Sequence, residues 1–199
     1  MSTAHESSFL SEPELSEHAQ RLYDDDRNGL GYVMNASRLW AHQPALHDGL
    51  FDVVTSAAES ASLTLRQRGI LVTATASSLG DSYCSLAWGR KLANETDAGF
   101  AAGVLTGDDA LLDAAERALA RWARLVARDP NATTDADVQA LRESGYDDAQ
   151  ILAITTYVAL RLAFSSVNDA LGARPDRELG ESVPAQVREA VTFGRPVAE

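Results

Sequence analysis

Apolar residues in this chain recur at helical spacing in one segment after another, and most segments are bounded by residues that start or stop helices. Pro44 opens a stretch carrying Leu46, Leu50, Phe51, Val54 and Ala57. Residues 64–79 follow, apolar on most sides through Ile70, Leu71, Val72, Ala74, Ala76 and Leu79. Val and Thr content there admits a strand, but length and alanine favour a buried helix, stopped by Gly80. Asp81 caps a helix running from Ser82 to about Leu92. Thr96 or Asp97 caps a short helix with Phe100, Ala101 and Val104. Residues 110–128 turn Leu111, Leu112, Ala115, Leu119, Trp122 and Val126 inward. Thr134 and Asp135 cap a helix ending at Glu143, and Asp147 or Asp148 caps the last long one, about 149–171. Ile151, Leu152, Ile154, Val158, Leu162 and Phe164 give that helix little polar surface, as in a core or a subunit interface.

Shorter elements precede these. A short acidic helix is expected from Pro13 to about Asp26, and Asn35 is read as the cap of a helix from Ala36 to His42. Residues 1–12 read as a flexible tail, 13–175 as one helical domain, and 176–199 as a polar extension with one short helix between Pro184 and Val191. The sequence therefore predicts a compact all-α bundle of helix–turn–helix pairs.

The 199 residues carry a formal net charge of −12. That excludes a surface of clustered Lys and Arg for nucleic acid and disfavours anionic membranes. No apolar run approaches the roughly 20 residues of a bilayer span, and the polar N-terminus carries no signal core, so a cytoplasmic location is expected. Cys84 is the single cysteine, which rules out a disulfide within one subunit. No cofactor motif is present, and the glycines form no phosphate cradle. His42 and His47 are badly spaced for a metal, with Pro44 between them, so no metal is expected. His5 and His18 read as solvated, and Tyr23–Asp26 as a surface face. Ser77, Ser78, Ser82 and Ser85 have no nearby His to activate them.

Cys84 carries the chemistry. It falls three residues after the Asp81 cap, where exposed N–H groups and the helix dipole stabilise a thiolate. A lone cysteine in an apolar helix also fits an inert core residue. Asp81 reads either as a plain cap or as a general base. As a cap, its negative charge opposes ionisation of the thiol. Trp88, one turn beyond Cys84, lies on the same face and either lines a pocket or plugs one.

The stretch from Arg66 to Gly89, with its apolar helix and Tyr83-Cys84 pair, resembles the carboxymuconolactone decarboxylase / alkylhydroperoxidase D family in its peroxidase-related branch. Gly31–Asn35, Arg38–Pro44, Ala127–Pro130, Thr134–Arg142 and Gly145–Leu152 extend the resemblance over about residues 25–175. The resemblance implies an alkylhydroperoxidase D-like helical fold and a homo-oligomer, trimer or hexamer. It also implies redox chemistry on a Cys-x-x-Cys pair assisted by a Glu and a His. Here the second Cys is Cys84. Asp81 stands at the first Cys, Trp88 at the His and Gly69 at the Glu, with Gln67 and Arg68 beside it. A sulfenic acid on Cys84 would therefore need an outside thiol.

Three functions remain open at this point. The first is a one-cysteine peroxidase or thiol oxidoreductase acting on a peroxide through Cys84. The second is a catalytically degenerate small-molecule-binding or structural oligomer, its pocket lined by Tyr83, Cys84 and Trp88. The third is a non-thiol enzyme acting on a small organic acid through Asp81.

Overall fold

Capping side chains and left-handed glycines divide the chain into eleven α-helices and one 3-10 turn, with no strand among the described residues. The structure is a computed structural model, and it describes residues 7–199. The first half of the predicted N-terminal tail, His5 included, lies outside that range. The helices are α1 (Glu17–Leu30), α2 (Asn35–Trp40), α3 (Pro44–Ser60), α4 (Leu65–Leu79), α5 (Ser82–Glu95) and α6 (Ala98–Thr106). They continue with α7 (Ala114–Arg128), α8 (Asp135–Glu143), α9 (Asp148–Ala170), α10 (Arg177–Ser182) and α11 (Ala185–Ala190). Pro130–Ala132 forms the 3-10 turn.

Helix α4 is the hub, packed against α5, α6, α7 and α9. Its residues from Gly69 to Ala76 are all buried, which matches its all-round apolar sequence. Thr64 and Gln67 form a reciprocal capping box at its start, and Gly80 closes it at φ 79°. That left-handed turn hands the chain directly to Asp81 and α5. Helix α9 packs on α3, α4 and α7. The cavity described below is lined from α1, α2, α3, α5 and α9.

Several boundaries differ from the sequence expectation. Helix α1 begins at Glu17 rather than Pro13, because the Ser16 hydroxyl accepts the Ala19 amide. It runs on to Leu30, and Gly31 ends it at φ 87°. Asn35 is not a cap. Its amide donates to Asp176 Oδ1 at 2.6 Å and its side chain donates to the Arg174 carbonyl at 3.0 Å. Helix α7 begins at Ala114, where Asp113 and Glu116 make a capping box, and Leu111 is left 62% exposed. Leu46 and Leu152 also face outward.

Helix α9 is long and apolar enough to cross a membrane by length and composition, where the sequence reading found no such run. Its burial against three helices makes it a bundle element.

The segment read as a polar extension is integrated into the core. Leu179, Val183 and Val187 are buried, and α11 lies on α5 and α6. Gly194, at φ 74°, passes so close to the α4–α5 turn that a Cβ would stand 2.6 Å from the Gly80 carbonyl. Ser82 donates to the Arg195 carbonyl at 2.7 Å beside it. At the other end, the Phe9 amide donates to Leu171 and the Arg174 amide to Ser7. The contacts of Gly194 and Arg195 hold this segment against the start of α5, where Cys84 lies.

Candidate functional site

The Asp81 side chain accepts the Cys84 amide at 2.9 Å and so starts α5. Asp81 is fully buried, and its second oxygen has no hydrogen-bond partner. Cys84 is 2% exposed. Burial is the main force holding its thiol well above the ordinary value. The Asp81 charge adds to this, while Arg161 and a hydrogen bond to Ser165 pull the other way. The dipole advantage expected of a thiol at this position is thus outweighed by desolvation.

Cys84 lies on the wall of a cavity of about 340 Å³. That is near the lower end of the roughly 300–1,000 Å³ usual for small-molecule sites. Tyr83, Cys84, Ala87, Trp88 and Lys91 line it from α5, Arg161 and Phe164 from α9, and His47 and Phe51 from α3. Leu22, Asp25 and Asp26 of α1 and residues 34, 36 and 37 close the other side. The structure brings three of the four sequence-predicted site residues, Tyr83, Cys84 and Trp88, to one cavity. Asp81 stands behind the wall as the cap and does not line it. Trp88 is half-buried on the cavity wall, so it does not fill the space.

Tyr83 is anchored from behind. Its hydroxyl donates to Asp176 Oδ2 at 2.5 Å and accepts the Ala36 amide at 3.3 Å. Burial raises Asp176 from 3.8 to about 6, and the bonds from Tyr83 and Asn35 counteract part of that rise. Asp26 also has a raised pKa through burial, offset by Ser37 and by the Met34 amide, which donates at 2.9 Å. His47 packs 4.5 Å from the Phe51 ring centroid, and burial lowers its pKa. Among the described residues, no group of three or more His, Cys, Asp or Glu could hold a metal. Ser77 and Ser82 donate to backbone carbonyls, while Ser78 and Ser85 are unpartnered.

Sequence reasoning missed Arg161 and Lys91. Arg161 is 4% exposed, and its Nη2 lies 3.8 Å from the Cys84 sulfur. The signal was present: Arg161 is the only charged residue between Asp148 and Asp169.

This arrangement of helices is the alkylhydroperoxidase D-like fold. It superposes on the alkylhydroperoxidase AhpD core of a peroxidase-related protein from Ralstonia eutropha JMP134 with a TM-score of 0.75. That match has 24% identity and covers 88% of this chain and 96% of that one. A peroxidase-related protein from Silicibacter sp. TM1040 matches with a TM-score of 0.76 and 21% identity, over 90% and 97% of the two chains. The debrominase Bmp8, in complex with 2,3,4-tribromopyrrole, matches with a TM-score of 0.69 and 14% identity, over 92% and 97%. No family model and no curated protein sequence matches the chain, so the likeness is one of fold.

Proposed function

We propose that this chain binds a small organic molecule in the cavity beside Cys84, with the cysteine resting as a neutral thiol. The observation that carries this reading is the open cavity itself. Tyr83, Cys84 and Trp88 share it, while the groups that would activate a peroxidatic thiol are replaced. Gly69 occupies the expected Glu position, buried against Leu92. Trp88 in place of an imidazole takes no proton but offers a flat aromatic wall. Asp81 is committed to the helix start and does not line the cavity, which weighs against the organic-acid enzyme acting through it.

A direct test is ligand titration followed by Trp88 fluorescence, with Trp40→Phe and Trp122→Phe removing the other two indoles. Small aromatic probes should change the emission saturably. No saturable change with any of a panel of such probes contradicts the reading.

One observation favours a second reading. Arg161 reaches the Cys84 sulfur and opposes part of the rise in its pKa, so a thiolate formed there has a cation beside it. In that case the thiolate attacks a hydroperoxide oxygen, the O–O bond breaks, and the alcohol leaves after taking up a proton. Cys84 is left as a sulfenic acid, which two external thiols reduce to thiol, water and a disulfide. Peroxide consumption with an external thiol, abolished in Cys84→Ser, supports it. Equal consumption by both proteins removes it.

A further inference from the structure

We propose that the ligand of this cavity is a small aromatic or apolar anion whose charged group pairs with Arg161. The proposal deepens the small-molecule-binding reading and rests on it. Arg161 projects from the middle of α9 and is 4% exposed. No ion pair within 4.0 Å involves it among the described residues. Its Nε has no hydrogen-bond partner, and the one acceptor of Nη2 is the Cys84 sulfur at 3.8 Å. A buried guanidinium ordinarily meets a carboxylate or a set of carbonyls, since desolvating a charge without them is costly.

What surrounds the guanidinium is aromatic. Its central carbon lies 5.2 Å from the Phe164 ring centroid, 5.3 Å from Trp88 and 5.7 Å from Phe51. Those faces stabilise a cation but accept no hydrogen bond along its plane. All four residues line the cavity, so the unsatisfied edge of a planar donor fork and three rings border one space. A carboxylate on a flat apolar body matches both features, because the fork binds carboxylates bidentately.

Lys91 adds a second positive charge at the mouth. Its ammonium lies 4.6 Å from the Trp88 ring, and Lys91 lines the same cavity. Two acids line the cavity as well, and neither neutralises Arg161. Asp26 is held by the Met34 amide and Ser37, and Asp25 is exposed on α1. The chain's net charge of −12 therefore does not describe this cavity, where Arg161 and Lys91 stand against Asp25 and Asp26.

The test is calorimetric titration of the full chain with benzoate, its neutral isostere benzamide, and the cation benzylamine. Benzoate should bind at least tenfold more tightly than either of the others. Arg161→Gln should reduce benzoate to the affinity of benzamide and leave benzamide unchanged, while Arg161→Lys should retain part of the preference. Should Arg161→Gln fail to fold, Lys91→Gln provides the second reading, as a several-fold loss for benzoate alone. Equal affinity for benzoate and benzamide, or preference for benzylamine, overturns the anion proposal while the binding reading stands. No binding by any of the three overturns both.

Discussion

The Asp81 carboxylate accepts the Cys84 amide at 2.9 Å, and its charge also raises the pKa of the thiol that this bond positions. The same residue therefore starts the helix and quiets the cysteine. The two effects separate in Asp81→Asn. Asparagine caps helices about as well as aspartate, so stability should change little. The lost charge should lower the Cys84 pKa and speed its alkylation at alkaline pH. Asp81→Ala should instead cost about 1 kcal/mol or more through the lost cap. Chemical denaturation together with a pH series of alkylation rates checks both.

Asp176 predicts a pH-dependent stability. Its folded pKa is raised from 3.8 to about 6, first by burial. A carboxyl that holds its proton more tightly when folded favours folding at low pH. Its contribution is complete below about pH 4 and lost as pH rises through about 6. A shift of two units corresponds to about 3 kcal/mol. Between pH 7 and pH 4 the native protein should therefore gain about 2 kcal/mol of that relative to Asp176→Asn. Urea denaturation of both at the two pH values checks it, and parallel changes in the two proteins would remove Asp176 as the cause.

Gly69 predicts a steric outcome at the position where the family resemblance expects a Glu. A Cβ there would stand 3.0 Å from Leu92 Cδ1 and 3.2 Å from Leu92 Cβ. Alanine favours a helix interior over glycine by about 1 kcal/mol. Overpacking a tight core costs about 1–3 kcal/mol. Because the Leu92 Cβ is fixed to the α5 backbone, overpacking should win, and Gly69→Ala should lower the melting temperature. A rise would show that Leu92 has room to shift.

Local chemistry made much of this architecture legible. Gly80, Asp81 and Thr134 mark helix ends in the sequence and do so in the structure, and of the alternatives at 96/97 and 147/148 the structure uses Asp97 and Asp147. The exceptions have tertiary causes. Asn35 looks like a cap, but Asp176 and Arg174, far along the chain, take its hydrogen bonds. Leu179 and Val187 sit among polar neighbours, so their burial depends on a surface that α5 and α6 supply. The site followed the same division. The spacing of Cys84 and Trp88 places both on one face of α5. Arg161, 77 residues from Cys84, meets it only through the packing of α9.

The central claim is that Cys84 rests as a buried, protonated thiol beside a ligand cavity. The most direct measurement is titration of the thiolate by its ultraviolet absorbance, with Cys84→Ser as the blank. The structure predicts no Cys84 thiolate signal as pH rises through the ordinary thiol value of about 8.5. A midpoint below that value would contradict the account and identify Cys84 as an activated nucleophile.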